Sequence, residues 1–159
     1  MPSVFTGREY SRAMKTLYES DSYEWALQNA TLVRQGRVGE ADLDHIAEEL
    51  EALGISQRHA LATRIKVLLM HLLKWSLRPE LDNKSWRATI SVQRRDIARM
   101  LRKAPSLAPC VAEEVRDVYP DAAADATDEM LVDASPFPAE CPFTVEQILD
   151  LNFFPESRS

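Results

Sequence analysis

The chain has 159 residues, of which 45% are hydrophobic and 28% are charged, and its formal net charge is −6. That length fits one domain with a substantial core. No window is apolar enough to cross a membrane and no apolar signal region stands near the start, so we predict a cytoplasmic protein without a membrane partner. Cys110 and Cys141 lack metal-type spacing, so two free thiols are the default and a disulfide is the alternative.

Charge is distributed unevenly along the chain. Residues 1–55 contain five Lys and Arg against ten Asp and Glu, and residues 105–159 contain two against twelve. Residues 56–104 reverse the balance, with twelve against three. We favour the interpretation that acidic outer segments pack against a basic middle. The alternative is a basic face kept for an anionic partner.

The first elements are predicted from periodicity and capping. Residues 1–15 have weak periodicity and predict a loose or partly helical arm. Asp21 and Glu24 form a capping-box pair that opens a helix, and Gln35-Gly36 ends it.

Asp42 opens the next predicted helix. Its apolar stripe consists of Leu43, Ile46, Ala47, Leu50 and Leu53. Gly54 followed by Ile55 is typical of a helix C-terminus, in which glycine takes the left-handed conformation. We therefore predict that this helix ends at Gly54 and forms a tight antiparallel pair with the next helix of the chain.

The most apolar stretch of the chain runs from Ser56, a suitable N-cap, to Leu77. Apolar residues occupy nearly every face between Val67 and Leu73, which predicts a central helix buried on more than one side. His71 and Lys74 are polar groups within or beside this part, and an unpaired charge there is costly. Glu49 borders the stripe of the preceding helix, so we predict that it reaches one of three side chains. These are Arg64, His71 and Lys74.

A basic helix comes after Pro79, which ends the central helix. We predict that it begins after Ser85 and ends before Pro105. Its basic residues spread over about half the cylinder. They are Arg87, Arg94, Arg95, Arg99, Arg102 and Lys103.

The last third is predicted to begin with a helix from Leu107 that is kinked or restarted at Pro120. Residues 131–143 contain three prolines and predict an extended loop. Thr144 and Gln147 form a second capping box that opens a last short helix.

These elements predict an all-α class, because no stretch alternates with period two. We expect a single-domain bundle of about five main helices around a buried central helix at about 56–77. The predicted division is a loose arm at 1–15, one helical domain at 16–155 and a disordered tail at 156–159. The side chains expected to be mostly buried are Trp25, Leu50, Leu68, Leu72, Trp75, Trp86 and Ile90.

Several short sequence motifs occur in a specific order: LYESDSYEW, DLDHIAEELEALG, HLLKW, SWRATI, PSL and FPAECPFTVEQILD. In this order they resemble the bacterial family catalogued as domain of unknown function 29, over about residues 16–155. The resemblance implies a compact helical domain and carries no activity. The positions that match the family's motifs are Trp25, Glu48, Glu49, His71, Lys74, Trp75, Trp86 and Arg87. Pro120 departs from the family pattern, because similar proteins continue the helix there.

The polar residues are compatible with two kinds of site chemistry. A metal site would need His45 or His71 together with Glu48 or Glu49, and neither HExxH nor a paired Glu-x-x-His pattern is present. Acid–base catalysis would be centred on Glu49, His71 and Lys74, although structural ion pairs are commoner than catalytic clusters. No nucleophile motif or glycine-rich phosphate loop supports an enzyme, and no cofactor is predicted.

The remaining alternatives are binding functions. The six basic residues of the predicted basic helix can neutralise phosphates of a nucleic acid or another anion, although no known nucleic-acid-binding motif accompanies them. A groove between helices can bind a helix of a partner protein, and self-association is equally compatible. We therefore favour a non-enzymatic protein-interaction or regulatory module, with an anion or nucleic-acid binder as the alternative.

Overall fold

The computed structural model describes residues 6–81 and 84–156. Within those residues there are six α-helices and no β-strand, which confirms the predicted all-α class. The helices are α1 (Gly7–Ser20), α2 (Ser22–Arg34), α3 (Leu43–Leu77), α4 (Lys84–Lys103), α5 (Val111–Glu129) and α6 (Val145–Leu149). None of these helices is both long enough and apolar enough to cross a bilayer.

The chain forms two compact units, Met1–Ile55 and Ser56–Ser159, called here the first and the second unit. The predicted division into an arm, one domain and a tail stays a prediction, and residues 1–5 and 157–159 lie outside the described part. The rest of the predicted arm is largely helical, because α1 begins at Gly7. The backbone N–H of Thr6 donates to the Glu9 carboxylate at 2.7 Å, which caps that helix.

The first unit contains α1, α2 and the part of α3 up to Ile55. Asp21 caps α2 as predicted, accepting a hydrogen bond from the backbone N–H of Glu24 at 3.0 Å. The helix ends at Arg34 with Gln35 as its C-cap, and Gly36 adopts a φ of +71°, which an L side chain rarely adopts. The small core of this unit consists of Met14, Trp25, Leu32 and Ala41.

Helix α3 is longer than either helix predicted for its sequence. The expected end at Gly54 and the expected N-cap at Ser56 are both wrong, because the helix runs from Leu43 to Leu77 without interruption. A C-terminal cap requires a glycine with positive φ, and Gly54 does not have one. A glycine inside a helix lowers the free energy of unfolding by only about 0.5–1 kcal/mol relative to alanine. The helical hydrogen bonds and side-chain contacts of the neighbouring residues are sufficient to keep the helix continuous. The predicted antiparallel pair therefore does not form.

The second unit is built around α3 from Ser56 onward, as predicted. Its apolar side chains are shielded from water by α4, α5 and α6. The α3 side chains with no exposed surface are Leu61, Ile65, Leu68, Leu69, Leu72 and Leu73. The main residues packed on them are Ile90 and Ile97 from α4, Val111, Val115, Tyr119, Ala122 and Ala126 from α5, and Ile148 from α6.

Burial confirms five of the seven core residues expected from the sequence: Trp25, Leu68, Leu72, Trp75 and Ile90. Trp86 is only half-buried. Leu50 is 64% exposed, so its predicted burial is wrong. The prediction depended on a helix pair that would have covered Leu50, and the uninterrupted α3 provides no such partner.

The C-terminal third departs from prediction at its first helix and agrees at its last. A 3-10 segment occupies Pro105–Cys110, so α5 begins later than expected, at Val111. The helix continues past Pro120, so the predicted restart there is wrong. Pro120 has no backbone N–H, so one hydrogen bond of the helix is lost. Because Pro120 lies on an exposed face of α5, water can donate to the backbone carbonyl that lacks this N–H. The capping box of α6 is confirmed, with Thr144 Oγ1 accepting from the N–H of Gln147 at 3.1 Å.

Gly54→Ala tests whether α3 is continuous. A Cβ added at Gly54 meets nothing within 4 Å. Because the position is inside a helix, we expect alanine to raise the free energy of unfolding by about 0.5–1 kcal/mol, measured by urea denaturation. Gly36→Ala is the matched control and should lower stability by about 1 kcal/mol, because its φ is positive. Equal destabilisation by both variants would contradict a continuous helix.

Candidate functional site

Glu49 does not meet the partners predicted for it. It is exposed in the first unit, where it accepts a hydrogen bond from the Tyr18 hydroxyl at 2.6 Å. The predicted contact with Arg64, His71 or Lys74 is wrong, because it depended on a turn at Gly54 that the helix does not make. Each of those three side chains bonds to another residue instead. Glu48 is also exposed.

Lys74 pairs with a carboxylate, but the partner is Glu129 of α5 and not Glu49. The Lys74 residue is only 5% exposed, and its ammonium lies 4.9 Å from the centre of the Trp86 ring. The Nδ1–H of His71 donates to the carbonyl of Val67 at 2.8 Å. Burial lowers the pKa of His71, which favours the neutral form of its imidazole. These contacts fit a structural ion pair, because every partner is a group of the fold itself.

Ion pairs join basic residues of α3 to acidic residues of α5. Arg58 pairs with Glu114, Lys66 pairs with Asp125 at 2.8 Å, and Lys74 pairs with Glu129. The partner numbers increase together along both helices, so α3 and α5 run parallel. The prediction that acidic outer segments pack against the basic middle is therefore confirmed for residues 105–159 at these positions, and for residues 1–55 it stays a prediction.

The basic helix predicted for anion binding corresponds to α4, and its basic residues differ in environment. Arg94 is only 2% exposed and donates to the backbone carbonyls of Ile148 at 2.8 Å and Gln147 at 3.2 Å. It is therefore not part of an exposed face. It holds the end of α6, where helix carbonyls lack partners within the helix.

The other basic residues of α4 remain at the surface. The Arg87 guanidinium lies over the rings of Trp75 and Phe154, at 5.0 and 4.7 Å. Arg99 pairs with Asp96 at 2.5 Å. Of the six basic residues predicted for anion binding, the exposed ones without an ion pair to a described side chain are Arg95, Arg102 and Lys103.

A groove in the first unit, called here the α2/α3 groove, was not predicted. It has a volume of about 540 Å³ and is almost entirely apolar. Residues from α2 and from the start of α3 line it: Trp25, Ala26, Asn29, Ala30, Val33, Arg34, Ile46, Glu49, Leu50 and Leu53. The signal for it was present in the sequence, because α2 has apolar residues on more faces than its small core covers.

Beneath the groove, a buried polar network holds α2 to the start of α3. Asp42 has no exposed surface and accepts from the Trp25 indole N–H at 3.2 Å and from His45 Nδ1 at 2.5 Å. The Asn29 side chain accepts from the backbone N–H of Asp42 at 2.8 Å. The His45 ring stacks on Tyr18 with centroids 3.9 Å apart. This network fixes the spacing of the groove walls, because buried hydrogen-bonded groups have few alternative arrangements.

The other candidate site residues bond mainly to groups of the fold. Among the described residues, no group of three or more His, Cys, Asp and Glu side chains could hold a metal ion. The His45 and Glu49 pair, which has a chelating spacing, bonds instead to Asp42 and Tyr18. Cys110 and Cys141 are both free thiols, and burial raises the pKa of Cys141, which makes that thiol less reactive.

Comparison with known proteins identifies one family. The family model described as "Domain of unknown function DUF29" matches residues 17–154, nearly the whole chain. Neither a curated protein nor a solved structure matches the chain.

The ion pair between the buried Lys74 and the exposed Glu129 leads to an asymmetric mutational effect. Glu129→Gln leaves a nearly buried ammonium without a carboxylate, and we expect a loss of about 1–3 kcal/mol in the free energy of unfolding. Lys74→Met removes the charge itself and places an apolar side chain in an apolar setting, so its cost should be smaller. Urea denaturation of both variants measures the difference. An unchanged stability in Glu129→Gln, or a larger loss in Lys74→Met, would contradict the dependence of the buried Lys74 on this carboxylate.

Proposed function

This chain belongs to the DUF29 family, whose description states no function, and we propose that it is a non-enzymatic protein-interaction module. The observation that supports the proposal is the α2/α3 groove of the first unit. Single exposed apolar side chains are normal on protein surfaces, whereas a contiguous apolar patch marks an interaction site. Three of the exposed large apolar side chains, Val33, Leu50 and Leu53, are neighbours in this groove.

The spacing of the lining residues indicates what shape fits the groove. One wall carries Ala26, Ala30 and Val33 of α2, and the other carries Ile46, Leu50 and Leu53 of α3. Both sets have the spacing of four and then three residues that places side chains on one face of a helix. Two helical walls of this kind accommodate a third helix, whose apolar face packs between them.

The proposed occupant is an amphipathic helix of another protein. A second copy of this chain placed groove to groove is disfavoured electrostatically. Residues 1–55 carry a net charge of −5, from five Lys and Arg against ten Asp and Glu, so two such units repel one another. A helix without that acidic charge buries the same apolar surface and meets no such repulsion.

Leu50→Ser tests the groove directly. The probe is an end-blocked synthetic peptide of about 18 residues, helical and about 27 Å long, with leucines on one face and uncharged residues elsewhere. Because Leu50 is 64% exposed, serine should change the free energy of unfolding by no more than about 0.5 kcal/mol. The affinity for the peptide, measured by fluorescence anisotropy, should fall about tenfold or more.

Leu151→Ser is the matched control, because Leu151 is exposed to a similar extent, 59%, and lies outside the groove. Its peptide affinity should equal that of the unmodified chain. Equal loss in both variants, or no binding by the unmodified chain, would contradict the proposal. So would a dimer in light scattering that Leu50→Ser converts to a monomer, because a second copy would then occupy the groove.

A second candidate function is anion binding through α4. Of the six basic residues predicted for anion binding, the exposed ones that lack an ion pair to a described side chain support it: Arg95, Arg102 and Lys103. Retention on heparin that falls with salt, and that is lost in Arg95→Glu/Arg102→Glu, supports this candidate. Unchanged retention in that variant contradicts it.

A further inference from the structure

The α2/α3 groove is bordered by charge as well as lined by apolar side chains. Between Leu43 and Ile55 there are four acidic residues and no Lys or Arg. Asp44 is paired with Lys15 at 2.6 Å. The other three are Glu48, Glu49 and Glu51, which are exposed and form no ion pair with a described side chain.

Glu49 is the acidic residue that lines the groove itself. Its partner Tyr18 donates a neutral hydroxyl at 2.6 Å, which leaves the negative charge of the carboxylate uncompensated. On a helix with 100° per residue, Glu49 lies about 60° from the centre of the apolar stripe formed by Ile46, Leu50 and Leu53. It therefore stands beside the position where the flank of a bound helix would lie.

The basic residue that lines the groove is Arg34, at the end of α2. The positive charge of Arg34 favours one acidic group on the bound helix, close to the C-terminal end of α2. Its single charge is outweighed by the carboxylates of Glu48, Glu49 and Glu51 on the α3 side, and the first unit as a whole is acidic. Glu48 and Glu51 lie on the far side of α3 from the apolar stripe, so their charges reach the groove at low ionic strength and are largely screened at physiological salt, where the Debye length is about 8 Å.

We infer that the occupant of the α2/α3 groove is a basic amphipathic helix, with Lys or Arg beside its apolar stripe on the flank that meets Glu49. This inference rests on the proposed function, because it specifies the chemistry of the helix that the groove binds. The apolar stripe supplies the affinity, and the basic flank supplies the selectivity and a faster association. Helices of the same apolar pattern with acidic flanks are rejected by like charge.

Two synthetic peptides test the inference. They share the leucine stripe of the uncharged probe and differ in that one carries Lys on both flanks and the other carries Glu. At low salt, the Lys peptide should bind about tenfold or more tightly than the Glu peptide, and the preference should shrink as salt rises. Glu49→Gln should weaken the Lys peptide about threefold, as expected for one exposed ion pair.

Glu48→Lys/Glu51→Lys should reduce the preference further without altering the apolar walls, because neither side chain lines the groove. Asp133→Lys, an exposed position of the second unit, is the control and should leave the preference unchanged. The Leu50→Ser variant is measured with both peptides, so that binding in the groove is separated from adsorption to an acidic surface.

The outcomes distinguish the two proposals. If Leu50→Ser abolishes binding of both charged peptides and the two bind equally well, the groove is a docking site and the inferred basic flank is wrong. If the Lys peptide binds but Leu50→Ser has no effect, binding is surface adsorption, and the proposed function fails together with the inference. Tighter binding of the Glu peptide would also overturn the inference.

Discussion

The burial of one stretch of α3 is the interaction on which the second unit depends. Six leucine and isoleucine side chains between Leu61 and Leu73 have no exposed surface. Burying each such side chain contributes about 1.5–3 kcal/mol, so this stretch stabilises the unit more than any polar contact in it. Helices α4, α5 and α6 pack around this stretch. Arg58, Lys66 and Lys74 of α3 form ion pairs with α5. Those ion pairs make the packing specific, because each cation meets carboxylates at one position along α5.

The same helix has a different environment in the first unit. Up to Ile55 its apolar residues have the spacing of a buried stripe, yet Leu50 and Leu53 remain largely exposed. An apolar stripe is typical of a helix face that packs against another element. In the described part of the first unit, no element covers these two side chains. The wall that α2 contributes has the same character, and the buried contacts of Asp42 hold both walls in place. A preformed apolar groove lowers the cost of binding, because its walls need no reordering.

Some of the fold was predictable from local chemistry. Asp21, Thr144 and Gln147 act within one turn of the chain, so their capping roles are readable from short patterns. The buried helix around Leu68 and Leu72 was predictable from a density of apolar residues that no surface helix tolerates. Gly54 shows the limit of local patterns. A glycine before an apolar residue is compatible with a helix end and with a helix interior, and the packing of the residues on either side decides between them.

The candidate site was harder to predict, because it depends on residues far apart in sequence. Glu129 lies 55 residues after Lys74, and nothing in a single sequence links the two. The helical spacing of α4 placed Arg94 among the basic residues, while its burial depends on the carbonyls of α6 that it meets. The groove is lined by residues of α2 and of the start of α3, which lie twelve or more positions apart in the sequence, so no short pattern identifies it.

The central claim is that a helix binds between α2 and α3. An isotope-filtered NOE experiment on the labelled chain with the unlabelled Lys-flanked peptide tests it most directly. We predict intermolecular cross-peaks from the peptide leucines to the methyl groups of Val33, Leu50 and Leu53. Cross-peaks confined to α4, or none to these three residues under saturating peptide, would contradict it.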